Sequence, residues 1–324
     1  MLSLDKLRAK EKSNLKIKVK KNSMASAKNK KKLWIFLFLL PTLCAFCLFY
    51  LYPILTVFAT SFAKWDYSNI LKPEFYKGKE LFTNYKYILT EYPYFWEALR
   101  NSMAWALCGV VIQVPIAVTV AIMLSKSLPG WKFARNVYII PNIISTAAMG
   151  LIFLQIYNPR FGVINQIIQL FAPGFDQNIL LLPKVNFWAM TFSYILFAGS
   201  STIMILGQIF AIPTEIYEAA TLDNITGWKR EWYITLPLIK DTIKTVTILA
   251  ATAGFLLYNE VYFLTQGAAG TKSISYIIRE LAITSSRTQY ARANTVGVIQ
   301  ILGGLFIIIV INLLFKSRKK EEWN

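Results

Sequence analysis

Asn259 and Glu260 stand side by side in an otherwise apolar stretch, flanked by Tyr258 and Tyr262. An amide and a carboxyl group in such surroundings are costly in lipid, so they face either a solute pathway or the interior of a helix bundle. Gln155, Tyr157, Ser193, Tyr194, Ser200 and Ser201 place further hydroxyls and an amide within or beside apolar runs. Aromatic faces beside hydrogen-bonding groups suit a sugar, which has an apolar ring face and a rim of hydroxyls. A packing role competes with this reading, because hydroxyls and amides also tie helices together at about 0.6 kcal/mol each, and Glu260 could lie at the outer interface.

Other chemistries lack their residues. Gly270-Thr271-Lys272-Ser273 hints at a phosphate loop, but that loop needs adjacent Gly-Lys and a further Gly upstream at fixed spacing, and neither is present. The C-x-x-C of Cys44 and Cys47 has no second pair, Cys108 lies alone in another apolar run, and the chain has no histidine. The three cysteines therefore read as small apolar filler. No catalytic residue, metal site or cofactor is expected in this chain.

The elements that hold these side chains are membrane helices. The chain is 55% hydrophobic and 15% aromatic, more than a soluble domain can bury. At about 1.5 Å per residue, roughly 20 apolar residues cross a hydrocarbon core of about 30 Å. Six such stretches run at about 34–62, 98–124, 134–157, 186–212, 243–265 and 293–315. The expected fold is an all-α integral membrane protein of six transmembrane helices, with a basic arm at 1–33, the membrane domain at 34–315 and a short tail at 316–324.

Charge sets the orientation, since Lys and Arg stay on the cytoplasmic side. Twelve fall in the arm, and eleven more in 125–136, 211–244 and the tail from Lys316. The other three loops also hold eleven, but Asp66, Glu74, Glu80, Glu91, Asp176 and Glu280 offset about half. Both termini read as cytoplasmic, in a multi-pass protein of a bacterial plasma membrane. The net charge of +18 is concentrated between Lys6 and Lys32, without interleaved aromatics. Such an arm is drawn to anionic membrane lipid at about 1 kcal/mol per charge and is a poor match for nucleic acid. It is also too long and polar to open a cleaved signal peptide.

The cytoplasmic loop at 211–242 has its own helix signals. Pro213 pre-sets a helical dihedral, Thr214 is a candidate cap, and Glu215 adds negative charge to a first turn. Ala219 and Ala220 remove bulk so that another protein can approach the backbone. Asn224 tolerates the left-handed conformation and can end the helix. A second helix from about Gly227 is expected to stop near Leu236, because Pro237 disfavours a helical residue before it.

The spacing of Glu218-Ala219-Ala220, Asp223, the turn at Asn224 and Ile234-Thr235-Leu236-Pro237 resembles the coupling loop of permease subunits in ATP-binding-cassette (ABC) importers. The Pro-x-Phe at Pro93, Arg135 with the Ile-Ile-Pro ending at Pro141, the Phe-Gly-x-Ile-Asn at Phe161 and the Leu-Thr-x-Gly at Leu264 are similar to the maltose and glycerol-phosphate branch. Together they cover most of 34–315. The resemblance implies the type I importer permease fold and import of sugars or oligosaccharides by alternating access. It further implies a second permease subunit, a dimer of cytoplasmic ATPases that bind the ATP and Mg, and an extracellular solute-binding lipoprotein. Glu215, Glu218, Ala219, Ala220, Asp223, Asn224, Ile234, Leu236 and Pro237 would then meet the ATPase, with Glu218 the charged contact. The chain departs from the family at Asn224, where Gly is usual, at Ile225, where Ala is frequent, and at Gly267-Ala268-Ala269, where Gly-Gly-Pro is typical. Alternatives are an importer permease for amino acids, phosphate or peptide, and a secondary transporter needing no ATPase.

Overall fold

The structure, a computed structural model, describes residues 30–195, 198–284 and 288–316. The basic arm up to residue 29 and the tail from residue 317 lie outside the described residues. The chain divides into two compact units, 1–59 and 60–324.

The described part of the first unit is helical and belongs to α1, Lys30–Thr60. Every residue from Leu33 to Leu55 is exposed, so apolar side chains cover all of its faces. A helix apolar on all sides must be covered by other protein or by lipid, and this one is long and apolar enough to cross a membrane. Its π-helical turn at Cys47–Leu51 precedes Pro53, which has no N–H to give the regular ladder.

The second unit opens with a cap. Strands β1, Ala63–Lys64, and β2, Glu74–Phe75, pair antiparallel with Ala63 opposite Phe75. Buried Asn84 donates to the carbonyls of Ser61 and Ala63 (2.9 and 2.8 Å) and pins the cap. Asp66 accepts from the Ser68 hydroxyl and backbone N–H, which holds its carboxyl below the usual carboxylate range.

Helix α2 then runs Phe95–Ser125. It widens into a π turn at Gly109–Gln113, where the carbonyl of Val111 would otherwise await the N–H that Pro115 lacks. After Gly130 come α3, Trp131–Ile143, and α4, Thr146–Ile156, set at 99° to each other. Extended Ile144 makes the break, and Ser145 caps α4 by accepting from the Ala148 N–H. Helices α5, Val163–Phe171, α6, Val185–Ile195, and α7, Gly199–Phe210, follow, the last two inclined by 45°. Next come α8, Thr214–Leu222, and α9 at 227–238, a helical run that passes through a π turn at Glu231–Thr235. Helix α10 spans Lys240–Phe255, α11 spans Ile274–Arg279, and α12 spans Tyr290–Leu314.

Among the described residues three helices, α1, α2 and α12, are long and apolar enough to cross a membrane, and the bent pairs α3–α4 and α6–α7 raise the count to five. The stretch predicted at 243–265 is broken: α10 ends at Phe255, and helical geometry resumes at Asn259 and runs into a π turn at Val261–Thr265. Small residues let the core close. A Cβ on Gly254 would lie 2.4 Å from the Trp105 carbonyl oxygen, and one on Gly109 would lie 2.6 Å from that of Ala250. Helices α2 and α10 thus touch backbone to backbone, the way membrane helices gain contact where lipid gives no hydrophobic drive. Phe255, Ile277, Val296 and Ile307 belong to one core cluster beside this contact, and Ala117, Ile205, Ile239 and Val246 belong to another.

Candidate functional site

The loop between α7 and α10 forms the expected helix, turn and second helix, with three local differences. Pro213, with ψ at 138°, stands before the helix as its N-cap, so Thr214 is the first helical residue and its side chain caps nothing. Ala219 is exposed but Ala220 is 4% exposed, so Ala220 seats α8 against the rest of the chain and is no part of an outward face. The second helix also continues past Leu236 to Leu238. It passes through a π turn at Glu231–Thr235, so Pro237 falls inside the helical run instead of ending it.

Asn224 adopts φ +58°, the left-handed conformation expected of it. The Ile225 N–H donates to the Ala220 carbonyl (2.8 Å) and the Asn224 N–H to that of Thr221 (3.0 Å). This double closure satisfies the last carbonyls of α8. Glu215, Glu218, Ala219, Leu222 and Asp223 are left exposed, Leu222 at 89%. An acidic face with an apolar tip therefore points away from the chain. Ile234 and Leu236 are half-buried and Pro237 is exposed.

The polar membrane residues divide into two groups. Tyr157 donates to the Ala189 carbonyl (2.8 Å), Ser193 to that of Met190 (2.7 Å) and Tyr194 to that of Trp105 (3.2 Å). These three are spent on backbone carbonyls inside the bundle. By contrast, Tyr258 and Tyr262 stack with ring centroids 5.7 Å apart, and the Arg279 guanidinium lies 4.3 Å from the Tyr262 ring. Asn259 and Glu260 are half-buried beside them, and Glu260 has no salt-bridge partner among the described residues. Gln155 is exposed at the end of α4.

Ser200 and Ser201 line a cavity of about 190 Å³ with Gln113 and Asn142, two amides that the sequence pattern does not single out. The Ser200 hydroxyl lies 3.5 Å from Asn142 Oδ1, and a Cβ on Gly199 would meet Asn142 Nδ2 at 2.4 Å. Both amides sit two positions or fewer from a proline, at the α2 π turn and the α3 bend, and that proximity is the available signal.

A larger cavity, about 540 Å³, opens between the start of α2, the start of α6 and the 267–270 loop, lined by Glu97, Arg100, Lys184 and Trp188. Two buried amides that the sequence likewise leaves unmarked fix the loop. Asn101 donates to the carbonyls of Gly270 and Lys272 (2.8 and 3.0 Å), and Asn186 to that of Ala269 (2.8 Å). Gly267 is indispensable here: its φ is +72°, and a Cβ would lie 2.7 Å from the Tyr276 ring.

No family model matches the chain. Among curated proteins it is 30% identical over 305 residues to the probable ABC transporter permease protein YurN of Bacillus subtilis, covering 88% of this chain and 97% of that one. It is 28% identical over 294 residues to the galactooligosaccharides transport system permease protein GanP of the same organism, covering 84% and 67%. Among solved structures it is similar in fold, with a TM-score of 0.71 and 21% identity over 88% of this chain and 94% of the other, to a chain of the bacterial alginate ABC transporter in complex with an alginate pentasaccharide-bound periplasmic protein.

Proposed function

The chain belongs to the permease subunits of ABC transporters, and on that premise we propose that it forms one half of the pore of an ATP-driven importer of sugars or oligosaccharides. The observation that carries the reading is α8: a short helix closed by a left-handed turn, whose exposed face presents Glu215, Glu218, Ala219, Leu222 and Asp223. An element of this shape gives a partner something to push. We assign that partner as a dimer of ATPase subunits, which bind the ATP and Mg. Their closure displaces α8, and α9 and α10 pass the movement to a solute pathway to which we assign Asn259, Glu260, Tyr258 and Tyr262, together with Asn142 and Ser200.

The reading includes six crossings with both termini in the cytoplasm, the fifth crossing being α10 with its broken extension. It also includes a second permease subunit and an extracellular binding protein that delivers solute to the outer face. Support for sugar as the solute comes from GanP, whose transport system carries galactooligosaccharides, and from the hydroxyl, amide and aromatic character of the lining.

The test is to recover the tagged chain from its native membrane in mild detergent and identify what accompanies it by mass spectrometry. A second permease, an ATPase and a solute-binding lipoprotein are expected, and labelled oligosaccharides should bind the last of these. Recovery of the chain alone, in an assembly that transports without ATP, overturns the proposal.

A further inference from the structure

Between α8 and α9 the backbone offers little resistance to bending. The link is four residues long, Asn224 and Gly227 both have positive φ, and nothing lies within 4 Å of where a Gly227 Cβ would be. A push on α8 could be absorbed there.

The side chains supply a second connection. The Tyr217 hydroxyl on α8 lies 3.2 Å from Thr235 Oγ1 on α9, and the Arg230 guanidinium sits 4.9 Å from the Tyr217 ring. Glu231, 3% exposed, holds both partners: its Oε2 accepts from the Thr235 hydroxyl (2.8 Å) and its Oε1 from Arg230 Nη2 (2.9 Å). Thr235 has one hydroxyl proton, and it goes to the carboxylate, so its oxygen must accept from Tyr217. The chain of bonds therefore has a direction, from the Tyr217 hydroxyl through the Thr235 hydroxyl to the Glu231 carboxylate. Hydrogen bonds that end on an ionised group are the stronger ones.

Beyond Thr235 the helix leads into the core. Leu236 and Ile239 pack with Ile205 and Ile209 of α7 and Val246 of α10, and Lys126, just past α2, lies 5.3 Å over the Trp228 ring of α9. We propose that Tyr217, Thr235 and Glu231, with Arg230, latch α8 to α9 so that the pair moves as one lever on α10 and the inner end of α2. Glu231 is a positioning residue that acts through Thr235 and Arg230. The proposal rests on the coupling role given to α8 above.

The experiment uses the complete transporter in lipid vesicles, reading solute imported per ATP hydrolysed. Tyr217→Phe keeps the ring under Arg230 and removes only the hydroxyl. It is expected to leave assembly and ATP hydrolysis in place and to lower the import-to-hydrolysis ratio by about 2- to 10-fold, the range that one net hydrogen bond represents. Thr235→Val and Glu231→Gln should lower the ratio likewise, and Thr235→Ser, which retains the hydroxyl, should restore it. An unchanged ratio in Tyr217→Phe and Thr235→Val overturns the latch. So does a loss of assembled complex that accounts for all the lost import, because the hydroxyls would then serve folding alone. Failure of the importer reading would look different, as wild-type import that needs no ATP.

Discussion

Gly254 and Trp105 meet where the van der Waals surfaces of two helix backbones touch: a methyl group at Gly254 would lie 2.4 Å from the Trp105 carbonyl oxygen. The carbonyl belongs to backbone and cannot swing aside. Gly254→Ala should therefore separate α2 from α10 and destabilise the detergent-solubilised protein by about 1–3 kcal/mol, as overpacking does, seen as a lower midpoint in thermal unfolding. Gly207, with nothing within 4 Å of the place a Cβ would take, is the control, and Gly207→Ala should leave the midpoint within error or raise it.

The turn after α8 makes a conformational prediction. Asn224→Gly should be neutral or slightly stabilising, since glycine accepts φ +58° without strain. Asn224→Val should cost about 1–2 kcal/mol and reduce import in proportion to the loss of assembled transporter. Equal behaviour of the two variants would mean that the left-handed residue is not what ends the helix.

Glu218 tests the outward face of α8. The side chain is exposed and outside the Tyr217 network, so Glu218→Arg should leave folding intact while lowering both transport and solute-stimulated ATP hydrolysis several-fold. Retention of both activities in the reconstituted complex would remove Glu218 from the contact with the ATPase.

The two classes of polar membrane residue should separate under mutation. Asn259→Ala and Glu260→Gln are expected to raise the KM for import with little change in thermal stability. Tyr157→Phe and Ser193→Ala are expected to do the reverse, each costing roughly 0.5–1.5 kcal/mol of stability and leaving KM alone. Stability losses at Asn259 with an unchanged KM would place that amide with the packing residues.

Asn101 predicts a loop effect. Its single amide nitrogen serves two carbonyls of the 267–272 segment, and Asn101→Ala strands both at about 1–3 kcal/mol of desolvation for each. Faster amide exchange confined to that loop, with α2 still protected, is the expected readout.

What could be read in advance follows from the range of the forces involved. The turn at Asn224 is local: one residue's tolerance of positive φ and two backbone bonds decide it. The apolar stretches are legible because length and composition alone specify them. Tyr157, Ser193 and Tyr194 fall in with Asn259 on sequence because a hydroxyl in an apolar run looks the same whether it faces a pathway or another helix. Tyr194 bonds to Trp105 and Tyr157 to Ala189, and no periodicity encodes those meetings. Ala220 and Pro237 depart from expectation for a related reason. Which alanine of a pair turns inward, and whether a helix continues through a proline, depends on what packs against the helix. Asn142 follows a proline, but that mark does not disclose its partner, because Ser200 is 58 residues away.

The break after Phe255 bears on how the protein enters the membrane at all. With sixteen residues, among them Lys240, Asp241 and Lys244, α10 is a weak candidate for recognition as a span during synthesis. Its depth must be fixed by a neighbour already in place, and the neighbour whose backbone fits Gly254 is α2, made about 150 residues earlier. Loss of the close contact at Gly254 would thus be felt first in biogenesis, as chains in which α10 fails to insert and which are cleared before any transporter forms.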